Sequence, residues 1–527
     1  MGHDLEFHAS WWLNISDLWR QGILHPRWAE LAYYGYGEPA FLFYPPLSLY
    51  VGGMLTSLLP FRLVPGVYVW LVLVLAGFSF FHLCRQFLEV RYALLGAVIY
   101  VINPYHLLDV HARYSFAELL VSALLPLLLL AIYRLDDPGG HRIAVAALLF
   151  AVISLTNMPG AVVGSYAGFA FVLALLLARK SGPGLAAKFV LAAVLGAGLA
   201  AFHLLPSWYE QRWVLASIHP IIPPENQFVR LSALPSNRFL WALAGVEAAQ
   251  IVIGILAWAL CRRAKPQDAV RAFTAVFFVS VVMVLPISAA IWRFAPFLHY
   301  VQFPWRWLGP VALAMSFFLS AAAQQSREGR LLAAGVCALC LVMLGAVTLL
   351  GNTKADAVLS ALKASISAGG RGYLGWPYVL PRDIKINQWG IPEHLTSGEP
   401  LVSEVSPETT GVMSPDDNGA SSSPQNSSRI AVTRWSPEIR EVTIDAPQPA
   451  WIRFRLFRYQ GWHAYVDGQP SDTLTTDARG AMVLRVPSGQ SHVKLVYELT
   501  RDQVWGIVLS LLSLACWFWI FRRQAPA

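Results

Sequence analysis

Charge is scarce in this chain. Asp, Glu, Lys and Arg make up 13% of its 527 residues, about half the ~25% of a soluble domain. Hydrophobic residues reach 56% and the mean hydropathy is +0.50. Together these exclude a water-soluble enzyme and a disordered chain. Cysteine is also rare: Cys84, Cys261, Cys337, Cys340 and Cys516 all lie in or beside apolar runs, and the long polar segment has none. A disulfide scaffold is thereby excluded. Cys337 and Cys340 have redox or zinc spacing but sit inside an apolar run without polar partners, so packing is their reading. The basic excess is uneven. Residues 352–502 hold 15 Lys and Arg against 16 Asp and Glu, and the remainder holds 24 against 15. No basic face with interleaved aromatics marks a nucleic-acid surface. The chain reads as a polytopic membrane protein.

What is present in quantity is apolar runs of spanning length. They fall at 66–84, 116–133, 160–178, 188–206, 239–261, 273–292, 307–323, 331–351 and 503–521. Two shorter runs, 92–103 and 143–157, must also cross for the topology to close, which gives about 11 spanning helices. Loops 85–91, 134–142, 179–188, 262–271 and 324–330, with Arg522 and Arg523, contain 15 Lys and Arg. The positive-inside rule puts these in the cytoplasm. Residues 1–65, 104–115, 207–238, 293–306 and 352–502 then face outward. The proline-flanked run from Pro45 to Pro60 is too short to span and suits a re-entrant or interfacial helix. An outward N-terminal segment needs a helix to carry it across. The expectation is a first helix encoded upstream of Met1, in about 20 apolar residues.

Ser403 to Arg429 is rich in Ser, Pro, Asp and Asn and reads as a flexible linker. Beyond it, short alternating runs such as EVTID, WIRFRLF and HVKLVYE predict a small β-sandwich, with Asp467-Gly468 as a hairpin turn. The expected divisions are 1–65, an outer loop with interfacial helices; 66–351, the transmembrane helices; 352–429, an outer segment and linker; 430–502, an extracytoplasmic β-domain; and 503–527, a last helix with a cytoplasmic tail.

Reactive residue types gather in the outward segments. Asp4 and His8 share a helix face at i, i+4 spacing, with Glu6 between them and Arg27, Glu38 and Tyr44 following. They form either a solvated, helix-capping terminus or a carboxylate–imidazole set fit for general-base or metal-ligand work. The next outward loop carries Asn103, His106, Asp109, His111, Arg113 and Glu118. Its bland reading is an interfacial loop with Tyr and His at headgroup level. Arg306 stands between Trp305 and Trp307. It is either an anchor that snorkels to the headgroups or a forked clamp for phosphate. Glu247, with Gln250 nearby, is an ionisable residue within a span and marks a second possible site.

Several blocks carry a resemblance. Gly2 to His8 (GHDLEFH), Gly22 to Trp28 (GILHPRW), Gly35-Tyr-Gly37 and Phe41 to Leu47 (FLFYPPL) look like the start of a bacterial membrane family labelled 6-pyruvoyl-tetrahydropterin-synthase-related. Asn103-Pro-Tyr-His106, Gln302 to Arg306 (QFPWR) and Tyr378 to Pro381 (YVLP) resemble its later blocks. Tyr459 to Gly468 (YQGWHAYVDG) resembles the outer β-domain of YfhO-type proteins. Neither a soluble synthase domain nor a zinc-binding histidine set accompanies the pterin label. The architecture resembled is that of GT-C glycosyltransferases, which take sugar from a polyprenyl-phosphate carrier on the outer side of the membrane.

The resemblance implies that Asp4, matching the acid of the first outer loop, is the catalytic base or orienter, with Glu6 or His8 assisting. Arg306 and Arg113 would balance the lipid-phosphate leaving group, and Asp109, His111 and Trp305 complete the binding set. The implied partners are a polyprenyl-phosphate-linked sugar, membrane lipid and an envelope glycan or protein acceptor. No metal site is assigned, the need for a divalent cation stays open, and the implied location is a bacterial inner membrane. Two other classes stay open: a lipid-linked-glycan transporter or flippase working through Glu247, and a non-catalytic envelope scaffold.

The charge map is directly testable. In a cysteine-free background, a cysteine at Ser422 should react with an impermeant thiol reagent on intact cells, and one at Gln524 should not. The reverse pattern overturns the map.

Overall fold

The computed structural model describes residues 4–137, 141–178, 182, 184–217, 227–229, 238–263, 267–367, 372–382, 384, 386, 392, 395, 399–406 and 428–523. Its long helices are α1 (Leu5–Arg20), α2 (Pro46–Leu58), α3 (Val64–Cys84), α4 (Val90–Val101), α5 (Phe116–Tyr133), α6 (His141–Thr156), α7 (Met158–Leu177), α8 (Gly184–Leu199), α9 (Ala201–Tyr209), α10 (Arg238–Cys261), α11 (Gln267–Val284), α12 (Leu308–Gln325), α13 (Arg327–Ser367) and α14 (Arg501–Arg523).

Among the described residues nine helical stretches are long and apolar enough to cross a membrane. A tenth is counted if α8 and the following stretch, which meet at 75°, form one broken span. The expected run 143–157 is the 16-residue helix α6, shorter than the other nine. Residues 92–103 reach spanning length only because α4 continues through short turns to Arg113. The helix over 331–351 is longer than its apolar run, continuing to Ser367. The Pro45–Pro60 run forms α2, which is not among the spanning helices.

Two spans make the centre of the helical body. In Phe116–Asp136 and Pro304–Gln325, 89% and 94% of the apolar window is buried, against 11–67% elsewhere. These two need neighbours on every side, whereas the rest turn one flank to lipid. Interhelical bonds hold the packing: Ser79 Oγ donates to Ala123 O at 2.6 Å, and Tyr100 Oη to Ser122 O at 2.6 Å. Helix α1 lies against α2, where Ser16 and Ser57 hydroxyls meet at 2.9 Å, and Trp12 stacks on Tyr68 of α3 at 5.3 Å. Cys337 and Cys340 are free thiols on α13, the latter buried.

The C-terminal β-domain packs two antiparallel sheets. One is ordered β1 (Val402–Val405), β4 (Ala450–Phe457), β8 (Ala481–Val486), β7 (Thr475–Thr476); the other β2 (Arg429–Ser436), β3 (Ile439–Ala446), β9 (Gly489–Tyr497), β5 (Trp462–Val466), β6 (Gln469–Pro470). Alternation puts Val442, Ile444, Ile452, Phe454, Leu484, Val493 and Leu495 in the core. Asp467 and Gly468 take φ of +51° and +80° between paired Val466 and Gln469, the turn that right-twisted strands require. The expected linker begins inside the sheet, because Ser403 to Val405 pair with Trp451 to Arg453 of β4. Residues 407–427 of that linker lie outside the described residues.

The chain between α1 and α2 fastens the β-domain. Arg27 donates to Gln503 Oε1 at 2.9 Å, to Glu438 Oε1 at 3.1 Å, and to the carbonyls of Tyr497 and Glu498. The Phe457 N–H donates to Tyr36 O at 3.0 Å. Glu38, fully buried, accepts the Trp376 N–H on both oxygens at 3.0 and 2.9 Å. Burial pushes its carboxyl up to about 8, and that N–H offsets only part of the rise. The folded state thus keeps a proton that the unfolded chain releases near 4.5. Glu38's contribution to stability is complete below that value and is lost as pH rises through about 8. Thermal unfolding in detergent should therefore show a midpoint that falls over this window. Glu38→Gln should flatten the dependence, and an unchanged slope would show that Glu38 does not hold the proton.

Candidate functional site

The two central spans each begin with a charged residue, and these residues meet. Glu118 lies in the first turn of α5, and Arg306 in the short turn that opens into α12. Glu118 Oε2 accepts Arg306 Nε at 3.2 Å and Arg113 Nη2 at 2.8 Å. Its Oε1 accepts the Tyr105 hydroxyl. Arg113 reaches Asp109 Oδ1 at 2.6 Å, one helical turn back. Asn103 makes this compact loop possible by capping it, its Oδ1 accepting the Tyr105 and His106 N–H groups at 2.9 and 3.0 Å. Arg113, Asp109 and Glu118 are 6%, 1% and 5% exposed, so each needs the others' charge.

Asp4 joins from the chain's other end. Its backbone N–H donates to Arg113 O at 3.1 Å, and it precedes α1 as N-cap. Tyr44 sits between Asp4 and the charged hub. Its phenol is held well above its usual range, first by burial and then by the Asp4 charge, with Arg306 and Glu118 also within reach. His8 Nε2 lies 3.4 Å from Tyr44 Oη. Aromatic rings box it in, with Phe116 at 5.4 Å and Trp12 at 6.0 Å. Burial lowers His8 to about 3, so the imidazole is neutral and carries no cationic role at neutral pH. Trp376 closes this side against Trp11 at 6.0 Å and Tyr44 at 6.2 Å. Glu38 holds the Trp376 backbone, which links the β-domain face to the site.

The structure therefore gathers Asp109, Arg113 and Arg306 around Glu118, with the Asp4 backbone bonded to Arg113 O and His8 beside Tyr44. Glu6 is exposed on α1, where its carbonyl accepts Ser10 Oγ at 2.6 Å. His111 is partly buried, and Trp305 stacks on Phe303 at 4.4 Å. Glu247 stands apart on α10, with Oε2 buried and without a partner among the described residues. Among the described residues no three His, Cys, Asp or Glu side chains form a metal-ligating set. Sequence spacing undervalued Glu118 and gave no sign of Trp376. The first reads as an ordinary N-terminal acid of a helix, and the second lies more than 300 positions from Trp11 and Tyr44.

Beside the hub runs a narrow cleft of about 20 Å³. Glu118 and Arg306 line it together with Val121, Leu125, Gly160 and Val163. That volume holds little more than one water, which needs roughly 10–15 Å³. Helices α5 and α7 close it tightly, since a Cβ at Gly160 would lie 2.8 Å from Val121 Cγ1.

Residues 41–357 match the model of the 6-pyruvoyl-tetrahydropterin synthase related domain, a membrane protein family. The chain belongs to that family. No curated protein matches it. Among solved structures, arabinofuranosyltransferase AftD from Mycobacteria shares 16% identity at a TM-score of 0.40 over 67% of this chain. The match spans 26% of AftD, so this chain corresponds to about a quarter of that protein. ArnT from Cupriavidus metallidurans, solved bound to undecaprenyl phosphate, shares 12% identity at a TM-score of 0.28. It covers 63% of this chain and 73% of ArnT. Likenesses of this degree assign no activity.

The hub carries a stability expectation. Removing one partner of a buried ion pair costs ~3–5 kcal/mol, because the other charge is left uncompensated. Glu118→Ala strands two guanidiniums and should sharply lower the thermal midpoint in detergent. Adding Arg113→Met should recover part of the loss. A midpoint unchanged in Glu118→Ala would show that the cluster carries no structural weight.

Proposed function

We propose that this member of the family is a membrane-embedded glycosyltransferase. It moves a sugar from a polyprenyl-phosphate carrier to an envelope acceptor on the outer face of a bacterial cytoplasmic membrane. The observation that supports the reading is the Glu118–Arg306 pair lining a narrow cleft between spans, with the Asp4 backbone N–H bonded to Arg113 O beside it. A carboxylate and a guanidinium are the two charges the reaction needs at one place. Asp4 takes or orients the proton of the acceptor hydroxyl, and that oxygen bonds to the sugar's anomeric carbon. The bond from that carbon to the carrier phosphate breaks, and its electron pair leaves on the phosphate. Arg306, already aimed by Glu118 and by Val301 O at 2.7 Å, meets that growing charge.

The other residues take supporting parts in this reading. Arg113 and Asp109 hold the hub rigid, and Arg113 contributes positive potential. His8 keeps Tyr44 in place beside Asp4 as a neutral ring. His111, Trp305 and the exposed Glu6 flank the substrate path. The carrier's isoprenoid chain enters between α5 and α7, which must part to admit it.

The opposing reading is a lipid-linked-glycan transporter. Glu247 favours it, as a buried carboxylate oxygen within a span, without a partner among the described residues, is a functional candidate by default. Sugar transfer from a polyprenyl-phosphate donor separates the two. Asp4→Asn should lower transfer by about 100- to 10,000-fold, the usual range for a general base, while the protein stays folded in membranes. Arg306→Ala should impair carrier use, and Glu247→Gln should leave transfer near parental. An active Asp4→Asn beside a dead Glu247→Gln would hand the function to the transporter reading.

A further inference from the structure

The apolar run that residue order extends to position 292 ceases to be a span at Val284, where α11 ends. Pro286 is the reason. It has no N–H to continue the helix, and it keeps Leu285 extended, at φ −87° and ψ +147°. The chain turns back through Pro286–Ser288, the six-residue helix Ala289–Phe294 and the turn Leu298–Val301, and reaches Arg306 just before α12. From Leu285 to Phe303 the sequence carries one Arg, Arg293, and no Lys, Asp or Glu.

Side chains take several carbonyls that these turns free. Met283 O accepts Trp292 Nε1 at 3.1 Å and Ser288 Oγ at 3.3 Å, and Leu285 O accepts Ser288 Oγ at 2.9 Å. Pro296 O accepts Tyr166 Oη at 3.0 Å, and Val301 O accepts Arg306 Nη1 at 2.7 Å. Next to those two carbonyls, Phe297 and Gln302 hold φ of +62° and +61°, which non-glycine residues keep only where their surroundings enforce it. Water would serve such carbonyls in an open loop, whereas irregular backbone at membrane depth must find its partners in the protein. The Tyr166 bond indicates the depth. Tyr166 lies eight residues past Met158, the start of α7, which is about 12 Å along the helix at ~1.5 Å per residue.

The stretch has two faces. Trp292, Leu298 and Val301 are buried and pack in one cluster with Trp307 and Leu308. Ile287, Ile291 and Phe294, spaced i, i+4 and i+7, point the other way and are 80%, 46% and 81% exposed. Phe297 extends that face. We propose that residues 285–303 form a re-entrant hairpin whose Ile287–Ile291–Phe294 face is covered by lipid, in the leaflet on the Glu118 side. Lipid is the occupant because the face continues, at both ends, from helices long and apolar enough to span, and because its bond to α7 lies within another such helix. Trp, Tyr and a lone Arg beside an apolar face also suit the boundary between headgroups and acyl chains. The leaflet then helps set the height of Arg306, since Val301 O holds its guanidinium. The hairpin takes no part in bond making. Its seat in lipid depends on α11 and α12 spanning the membrane and not on sugar transfer.

The test uses the full chain in nanodiscs of phosphatidylcholine and phosphatidylglycerol. Ile287→Cys, Ile291→Cys and Phe294→Cys, each in the cysteine-free background, receive a nitroxide label. Collision with oxygen, which concentrates in lipid, is compared with collision with a water-soluble nickel chelate. Val282→Cys, exposed on α11, sets the lipid limit, and Gln469→Cys, exposed on the β-domain, sets the water limit. The oxygen-to-nickel ratio at the three hairpin sites should match that at Val282 and exceed that at Gln469. If Phe294→Cys lowers the thermal midpoint, Ala290→Cys replaces it, as a small exposed residue of the same helix. A ratio at the hairpin equal to that at Gln469 would mean a loop in water and overturns the proposal. An immobile label shielded from both reagents would mean that protein covers the face, and overturns it too. A water-like ratio at Val282 removes the spanning of α11 and the hairpin with it. No transfer is measured, so an inactive transferase leaves the result intact.

Discussion

A single carboxylate, Glu118, holds two buried guanidiniums at the point where the two central spans begin. Arg113 and Arg306 come from segments almost 200 positions apart and meet on one oxygen. Charges in such a place stay only if paired and hydrogen-bonded, because the desolvation cost is several kcal/mol per ion. The pairing fixes the mutual height of α5 and α12, and those helices set the positions of everything packed around them. Asp109 gives Arg113 a second partner at 2.6 Å.

The second constraint is the seam with the β-domain. Gln503 bridges two buried partners there: it accepts from Arg27 at 2.9 Å and donates to Glu210 Oε1 at 2.9 Å. Glu210 also accepts Tyr459 Oη at 2.6 Å and Thr500 Oγ1 at 3.1 Å. The start of α14, the β-domain and the chain between α1 and α2 are thus joined through one polar network. Such a network is worth its burial only if nearly complete. It transmits position: the segment from Trp28 to Glu38 that it anchors also grips Trp376, which packs on Trp11 and Tyr44.

Much of this was legible in residue order. Spanning runs need only composition and length, and most lie where expected because lipid allows few alternatives, although 188–206 breaks at 75° and 143–157 falls short of spanning length. The Asp467-Gly468 turn was equally plain, since its φ values demand those residue types. The strand Val402–Val405 was hidden. It borders a Ser- and Pro-rich stretch, and its partner β4 starts 45 positions later, so local composition outweighed long-range pairing. Of the site, the Asp4, Arg113 and Arg306 segments could be singled out as odd charges in an apolar chain. That Arg113 and Arg306 share Glu118 could not, because only the packed helices bring them together. The neutrality of His8 was also illegible: its neighbours Trp12, Tyr44 and Phe116 supply the burial, and no helical spacing encodes it.

The existing pairing shapes what the hub can do to an anion. Glu118 already occupies the guanidiniums of Arg113 and Arg306. In the proposed reaction an arriving phosphate must displace part of that pairing. Arg306 is the member able to do so. It holds Glu118 through Nε alone at 3.2 Å, while Arg113 holds it at 2.8 Å and also has Asp109 at 2.6 Å. Its side chain is 13% exposed against 7% for Arg113. The weaker, wetter contact costs less to exchange, and Glu118 keeps Arg113 and Tyr105 when Arg306 turns to a phosphate. In the proposed reaction Asp4 takes up its proton as the leaving phosphate gains charge, so that base and cation answer the two charges in the order in which they appear.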